Sequence, residues 1–460
     1  MQERKEEEME AIYRYVDEHG EEIIETLRRF CRQPSVSSEG LGIREMASVV
    51  QKEMERIGIE TTAHETASNP LITGVIRGET DRTLLFYNHY DVQPPDPVEK
   101  WDSPPFAAEV REGRIWARGA TDNKGNMLSR LKAVESFLRV NGRPPVTVKF
   151  LFDGEEEFGS RSLLPFVKSH QDLLRADGCI WEDGGSKDRP NQPIIGLGNK
   201  GMISFELSAR TSNVDFHSSY APIYESACWR LLWAVGTLKG PDEKIRIKGF
   251  YDDIIPLTEQ EEKLIREMPP FDEKERLRQF EMRRFVLGVS GTELMRRFLV
   301  EPTCNVAGII GGYTGKGRKT AVASEAKAKI DLRLVPNQRP LDIYEKVRRH
   351  LDKEGFSDVE MSPPSSTSEP SRPPADSDVV KAIQKASREF YHEEAIIKPQ
   401  GTGSTPSWMV TNYLHIPLAG TGLGSVTART HGHNENIVIQ EYLDGIKFMA
   451  TIMADFASSG

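Results

Sequence analysis

Apolar and polar residues along this 460-residue chain follow two periods, and in the first part of the chain helical and strand patterns alternate. Apolar residues recur at helical spacing from about Glu3 to Arg32, with Gly20 as a break. Short apolar runs then predict buried strands at 71–76, 84–87, 146–152 and 179–181. This alternation predicts an α/β domain with a largely parallel sheet.

A further helix is predicted between the second and third of these strands. Segment 124–142 carries one apolar stripe, with Asp122 and Asn123 before it and Gly142 after it. Asp122 is therefore expected at a helix start.

The pattern changes near Gly201. MISFELSAR and AKAKIDLRLV read as strands, while segments 221–238 and 341–351 have helical periodicity. These elements outline a small antiparallel sheet backed by helices. The charged stretch 259–297 is predicted to be a solvated helical insertion, with a lid or partner surface as the alternative.

The last part of the chain returns to the first pattern. The Pro- and Ser-rich stretch 361–378 is predicted to be a linker, and the α/β character after it ends in a helix at 440–456. The sequence thus predicts an inserted domain at 202–375, within a larger domain made of 1–201 and 376–460.

Composition limits the possible partners and the location. A net charge of -10 and a pI near 5.7 argue against nucleic acid as a partner. The start of the chain lacks the pattern of a secretory signal, and no apolar run approaches the roughly 18 residues of a membrane span. The four cysteines form no C-x-x-C pair and are expected to be buried thiols. We therefore expect a cytoplasmic protein with no membrane partner.

Polar residues follow the predicted strands of the larger domain. His89 and Asp91 follow the second strand, DGEEEFGS the third, and Glu182 and Asp183 the fourth, with Asp122 at its helix start. Loops beyond the carboxyl ends of parallel strands converge on one crevice, where clustered carboxylates repel unless a cation neutralises them. Imidazole and carboxylates suit Zn²⁺, Co²⁺ or Mn²⁺. His89 is predicted to be a metal ligand and Asp91 the partner that fixes its tautomer.

Together these motifs resemble the M20 family of metallopeptidases, which uses two metals. The matching pieces are NHYDVQ, WDSPPFAAEVREGRIWARGATDNKG, DGEEEFGS, WEDGG, LSARTSNVDFHSS, KIDLRLVP, GTGSTPS and HGHNENI. The resemblance implies two divalent ions per subunit, Zn or Mn/Co, and a homodimer formed through a ferredoxin-like inserted domain.

The resemblance also implies roles for individual residues. Asp122 would bridge both metals. His89 and Glu182 would complete the ligand set of one metal, and Glu157 and His431 that of the other. Glu156 would be the general base.

Three of these assignments have a neighbouring residue as a competitor. Asp183 could replace Glu182, and a one-residue slip would make Glu155 and Glu156 the base and the ligand. His433 competes with His431, which the H-x-x-N-E spacing of the family favours. Asn123 stands where the family often has a second aspartate.

Four residues of the inserted domain and its surroundings match further family positions. His217 resembles the histidine that reaches into the partner's active site to stabilise the oxyanion. Arg333 resembles the arginine that binds the substrate's C-terminal carboxylate, a task suited to a bidentate guanidinium. Thr320 and Ser404 resemble further substrate contacts.

The sequence thus predicts a di-metal hydrolase of dipeptides or short peptides. Two metals would activate a water, and Glu156 would take its proton and pass it to the leaving amine. Within the family an aminoacylase and a carboxypeptidase are the alternatives, and the charged insertion favours a dipeptidase. A homologue without activity is the alternative of another class. The glycine-rich stretches GGYTGKGRKT and GTGSTPS do not match the phosphate-loop spacing.

Overall fold

The computed structural model describes residues 2–182, 189, 191–269, 272–425 and 427–459. They form two compact units. The first unit comprises Met1–Leu197, Pro373–Lys398 and Met409–Gly460, and the second comprises Gly198–Arg372 and Pro399–Trp408.

The first segment of the first unit alternates helices and strands. Its helices are α1 Gln2–Glu18, α2 Gly20–Arg32, α3 Ile43–Ile57, α4 Lys124–Asn141, α5 Leu163–Ser169 and α6 Gln171–Leu174. Its strands are β1 Glu60–His64, β2 Leu71–Ile76, β3 Thr83–His89, β4 Glu109–Arg111, β5 Arg114–Trp116, β6 Thr147–Asp153, β7 Gly178–Trp181 and β8 Ile194–Gly196. The predicted break at Gly20 falls where α2 begins.

The second unit contains the next elements in chain order. Its helices are α7 Ala227–Leu238, α8 Glu259–Glu267, α9 Glu273–Gln279, α10 Gly291–Val300 and α11 Pro340–Lys353. Its strands are β9 Gly201–Arg210, β10 Phe216–His217, β11 Thr303–Gly311, β12 Ala321–Val322, β13 Glu325–Leu334, β14 Glu360–Met361 and β15 Ser366–Ser368.

The final part of the chain completes the first unit. It supplies helices α12 Asp378–Ala386 and α13 Ile439–Ala457 and strands β16 Ile396–Lys398, β17 Leu418–Gly420 and β18 Asn436–Val438. Among the residues described, no helix is both long enough and apolar enough to cross a membrane.

An eight-stranded sheet forms the core of the first unit, in the order β1-β2-β6-β3-β7-β17-β8-β16. The central neighbours β6, β3, β7 and β17 are parallel, as are β8 and β16 at one edge, whereas the pairs β1–β2, β2–β6 and β17–β8 are antiparallel. Helix α4 packs on β3 and against α13, and its residues are buried almost throughout. The predicted mixed α/β fold with a largely parallel sheet is confirmed.

An antiparallel sheet of five strands forms the core of the second unit. Strands β11, β13, β9 and β14 lie side by side in this order, and β15 pairs with another part of β9. Alternate residues of β9 and β13 are buried, as expected for a sheet with one covered face. Helices α7 and α11 cover that face through a shared apolar core.

Two local predictions were wrong. The stretch 361–378 is not only a linker, because Ser366–Ser368 extends the sheet by pairing with residues 202–204 of β9. The helix predicted at 221–238 begins six residues later, at Ala227. Before it the chain turns, with the Ile223 and Tyr224 amides both donating to the Tyr220 carbonyl.

Candidate active site

The carboxyl ends of three neighbouring parallel strands carry the polar residues of the site. His89 is the last residue of β3 and is paired in register with Asp153, the last residue of β6. Glu182 directly follows Trp181, the last residue of β7. Because the strands are parallel, these ends open onto the same edge of the sheet.

Asp91 links the His89 ring to the loop after β6. The buried His89 Nδ1 lies 3.3 Å from Asp91 Oδ1 and 3.1 Å from the Asp91 carbonyl oxygen. The two Asp91 carboxylate oxygens also accept the backbone N–H groups of Glu156 and Glu157, each at 3.1 Å. One carboxylate thus orients the imidazole and fixes the start of the loop that carries both glutamates.

Asp122 lies between two imidazoles. Its Oδ1 is 3.1 Å from His89 Nε2, and its Oδ2 is 2.9 Å from His431 Nε2. The loop that carries Asp122 packs closely on the first turn of α4. A Cβ added to Gly125 in that turn would lie only 2.2 Å from the carbonyl oxygen of Ala120 in the loop. Each Asp122 oxygen therefore faces one imidazole, which is the arrangement expected of a bridging carboxylate.

Glu157 approaches the same group from the loop after β6. Its Oε1 is 3.3 Å from His431 Nε2, and its Oε2 accepts a hydrogen bond of 2.9 Å from Gln93 Nε2. Ligand atoms of His89, Asp122 and Glu157 all lie within 4.8 Å of one another. These residues offer a compact set of nitrogen and oxygen donors.

Glu156 and Glu182 form a second group with His89. Ligand atoms of these three residues also lie within 4.8 Å of one another. Arg130 Nη2 donates to the backbone carbonyl of Glu182 and so fixes the turn after β7. Asp183, the competitor of Glu182, lies outside the described residues.

Glu155, which competes in sequence with Glu156 and Glu157, has different surroundings from them. The buried Glu155 uses its Oε1 to accept the backbone N–H of Ser162 at 2.5 Å, just before α5. His433 is exposed, as His431 is, but His431 Nε2 lies 2.9 Å from Asp122 Oδ2. Glu155 thus has a hydrogen-bonding role in the loop backbone, whereas Glu156 and Glu157 join the donor groups described above.

Burial and the neighbouring charges shift the pKa values in this cluster. Burial, together with Glu157, Asp91 and Asp122, raises the pKa of Glu156 to about 8, although His89 opposes this shift. Hydrogen bonds to Asp122 and Glu157 raise the pKa of His431 to about 10. Burial alone would raise the pKa of Asp122, but the two imidazoles hold it well below its usual value.

This donor set fits divalent metal ions. Two imidazoles and four carboxylates converge, the combination that Zn²⁺, Mn²⁺ and Co²⁺ accept. Glu157 Oε1 is buried, and apart from its 3.3 Å contact with His431 Nε2 it has no hydrogen-bond partner within the part of the chain that the structure describes. A cation at this position would satisfy that oxygen and offset the repulsion between the carboxylates.

Sequence reasoning missed three residues that hold this loop system together. Gln93 binds the Glu157 carboxylate. Glu435 is fully buried and accepts the Asp122 amide N–H, and Arg118 forms an ion pair of 2.6 Å with Glu435. All three lie inside the motifs NHYDVQ, HGHNENI and ARGATDNKG, but a motif indicates ligand types and not the hydrogen bonds that hold the ligands.

The second unit carries the predicted substrate residues. Arg333, near the end of β13, donates through Nη1 to Ser404 Oγ at 2.9 Å, and Ser404 Oγ donates to the Lys200 carbonyl at 2.6 Å. Arg333 and Ser404 are therefore in direct contact.

The remaining predicted residues of this unit, His217 and Thr320, lie at a separate pair of short strands. His217 is exposed and pairs with Ala321, the residue after Thr320, and the Thr320 carbonyl accepts the N–H of Ser218. The structure thus groups His217 with Thr320.

A family model described as peptidase family M20/M25/M40 matches residues 85–455 of the chain. A human Beta-Ala-His dipeptidase is 26% identical over 98% of this chain and 93% of its own length. A Cys-Gly metallodipeptidase of Schizosaccharomyces pombe is 25% identical over 75% of this chain and 76% of its own length.

Solved structures show the same similarity. An M20 family metallo-carboxypeptidase from Sulfolobus solfataricus has 36% sequence identity and a TM-score of 0.86, over 95% of this chain and 99% of that one. Human carnosine dipeptidase 1 has 25% identity and a TM-score of 0.74, over 98% of this chain and 99% of that one.

Proposed function

The chain belongs to peptidase family M20/M25/M40, and from this membership we propose that it is a di-metal hydrolase of dipeptides or short peptides. The resemblance that the motifs indicated is thereby confirmed. The observation that supports the hydrolase most directly is the position of Asp122, whose two oxygens each face one imidazole.

Five side chains would hold two divalent ions, Zn²⁺ or Mn²⁺/Co²⁺. We assign Asp122 to both ions, His89 and Glu182 to one, and Glu157 and His431 to the other. The contacts of Asp122 and Glu157 with His431 Nε2 support the second set. The common group of His89, Glu156 and Glu182 supports the place of Glu182 in the first set.

Glu156 is the general base of the proposed reaction. The bound metals would lower the pKa of a water and polarise the scissile carbonyl. Glu156 takes a proton from the attacking water and returns it to the leaving amine. Its backbone is fixed by Asp91, which positions the carboxylate without occupying it.

Arg333 would bind the C-terminal carboxylate of the substrate. Its guanidinium already donates to Ser404 Oγ, so this hydroxyl orients the planar group. Ser404 and Thr320 are proposed as further substrate contacts.

We propose that the first unit is the catalytic domain and the second a ferredoxin-like dimerisation domain. Trp229 and Trp233 of α7 are each 57% exposed, and Ile310 of the edge strand β11 is 60% exposed. An exposed apolar helix face and a sheet edge are features that a second copy can cover.

His217 would act in the active site of the partner subunit. Its Nδ1 accepts the N–H of Ser219 at 3.2 Å, so a neutral ring carries its proton on Nε2. The exposed Nε2–H can then donate to an oxyanion, the role that the resemblance implies. The predicted cytoplasmic location and the homodimer remain part of this proposal.

A carboxypeptidase is the second candidate, because the carboxypeptidase structure shares 36% identity with this chain. Both activities need a free substrate carboxylate, but only a dipeptidase depends on the free amino group one residue away. An aminoacylase would instead cleave N-acyl amino acids.

One substrate panel separates these activities. Purified protein with Mn²⁺, Zn²⁺ or Co²⁺ is given Ala-Ala, Ala-Ala-Ala, N-acetyl-Ala-Ala, N-acetyl-Ala and Ala-Ala-amide. A dipeptidase cleaves Ala-Ala fastest and loses activity on the amide. Faster cleavage of N-acetyl-Ala-Ala would favour the carboxypeptidase, and cleavage of N-acetyl-Ala alone the aminoacylase.

A mixing experiment tests His217. His217→Ala should be nearly inactive, because one oxyanion donor is worth about 10²–10³ in turnover. Glu156→Gln should also be nearly inactive, because it removes the general base. If subunits exchange, mixed dimers should regain one complete site of two. No recovery, with exchange shown independently, would remove the role in the partner's site.

A further inference from the structure

Glu435 gathers four hydrogen bonds from one short segment of the chain. Its Oε2 accepts Arg118 Nη1 at 2.6 Å and the Gly119 N–H at 2.9 Å. Its Oε1 accepts the N–H groups of Thr121 and Asp122, each at 3.0 Å. All four donors belong to residues 118–122, so this carboxylate shapes the loop that ends at the candidate bridging ligand.

Arg118, which binds Glu435, also contacts the backbone at His431. Its Nη2 lies 3.3 Å from the His431 carbonyl oxygen and 3.3 Å from the Pro94 carbonyl oxygen. The side chains of Arg118 and Glu435 are 1% and 0% exposed. The pair therefore joins the backbones of Asp122 and His431, two residues whose side chains meet at 2.9 Å.

This arrangement does more than stabilise a distant part of the fold. Glu435 and Asp122 are 313 positions apart in the chain, and the Glu435 carboxylate binds the Asp122 amide directly. A displacement of either backbone would change the separation between the Asp122 carboxylate and the His431 ring. Groups that orient metal ligands typically change metal affinity by about 10–100-fold when they are removed.

We propose that Glu435 and Arg118 are positioning residues that set the spacing of Asp122 and His431, and thereby the affinity for the metal held with Glu157. This inference rests on the proposed function, since it assumes that these residues hold metal. Neither Glu435 nor Arg118 is assigned as a ligand.

Glu435→Gln is the first test variant. The amide retains the size of the side chain but places an NH₂ group against two of the four donors. Metal-depleted protein is titrated with Mn²⁺ by calorimetry, and the electron paramagnetic resonance spectrum of the bound Mn²⁺ is recorded. Glu435→Gln should bind one of two Mn²⁺ ions about 10–100-fold more weakly and lose the signal of a coupled Mn²⁺ pair.

Glu53→Gln is the matched control. Glu53 is also buried and ion-paired in the first unit, but its partners are Lys132, Arg56 and Arg29. This variant should bind both ions as the wild type does, even if its melting temperature falls. At high Mn²⁺ concentration the turnover of Glu435→Gln should recover with an unchanged KM, because Glu435 does not touch the substrate.

Arg118→Lys decides the matter if Glu435→Gln does not fold. Lysine keeps a charge near Glu435 but cannot reach both carbonyls, so we expect several-fold weaker binding of the same ion. Wild-type Mn²⁺ affinity and an unchanged spectrum in whichever of the two variants folds would overturn the inference. If the wild type itself binds no metal, the proposed function fails instead.

Discussion

Two buried charge clusters of the first unit differ in how their charges are balanced. The first is the candidate metal centre around Asp122. The second, which we call the α3–α4 cluster, consists of Glu53, Arg56, Lys132 and Glu135. Glu53 and Glu135 each bind Lys132 and Arg56 at 2.7–3.0 Å. In this cluster the chain supplies its own cations.

One glutamate of each cluster shows the difference, because the pKa values of Glu53 and Glu156 shift in opposite directions. Burial would raise the pKa of Glu53, but Arg56 and Lys132 outweigh it and lower the pKa to about 2. In the metal centre, burial and nearby carboxylates raise the pKa of Glu156 to about 8. Burial of carboxylates therefore does not mark a functional site. A functional site is instead marked by an excess of carboxylates over the chain's own cationic side chains, because a bound cation is then needed to balance the charge.

The largest effect should come from Glu156→Gln. Loss of a general base lowers turnover by about 10²–10⁴-fold, while two metal ions per chain should still bind. Glu157→Gln should instead lose metal, because it removes a proposed ligand. Steady-state kinetics with elemental analysis of both variants separates these outcomes. If Glu156→Gln loses metal and Glu155→Gln loses only turnover, the assignment is wrong by one residue.

Glu53→Gln should lower the stability of the protein and leave its turnover unchanged, the reverse of what is expected for Glu156→Gln. It leaves Lys132 short of a buried partner, and breaking a buried ion pair costs about 3–5 kcal/mol of stability. Denaturant unfolding should show this loss, while the kcat of the folded variant stays at the wild-type value. A large loss of turnover without loss of stability would mean that the two clusters do not differ as described.

The smallest effect is a release of protons on metal binding. In the metal-free protein, Asp122 and Glu157 raise the pKa of His431 to about 10, so the ring is protonated at neutral pH. A metal needs the neutral ring, so its affinity should rise with pH until about pH 10. Calorimetry in two buffers with different ionisation enthalpies measures the protons released. Metal affinity independent of pH, with no net release, would contradict this effect.

The same shift has a consequence for the stability of the metal-free protein. The pKa of His431 is raised on folding, so its contribution is complete below about pH 6.5 and is lost as the pH rises through about 10. Because the side chain is 56% exposed, the change in unfolding free energy should be small.

Strand periodicity predicted much of the fold. The strand 71–76 was predicted at its observed bounds, and His89 extends β3 because a polar residue at a sheet end still pairs with β6. Periodicity could not find β15, since Ser366 to Ser368 have no apolar alternation and pair through their backbones alone. It also could not show that 399–408 joins the second unit, through contacts such as Ser404 with Lys200.

The candidate site was predictable where a residue type carries its own chemistry. His89, Asp122 and Glu157 are metal-ligand types that stand at a strand end, shortly before a helix and in the loop after a strand, respectively. Glu435 and Arg118 were not found, because a buried ion pair and a surface ion pair look alike in a sequence. Only the tertiary structure shows that Glu435 binds the Asp122 amide.

The central claim is that the carboxylate surplus of the first unit is balanced by two metal ions needed for hydrolysis. The most direct test is to deplete the protein of metal with a chelator, verify this by elemental analysis, and titrate Mn²⁺ while following cleavage of Ala-Ala. We predict no hydrolysis in the depleted protein and full recovery at about two ions per chain. Full activity in protein shown to be metal-free would contradict the claim.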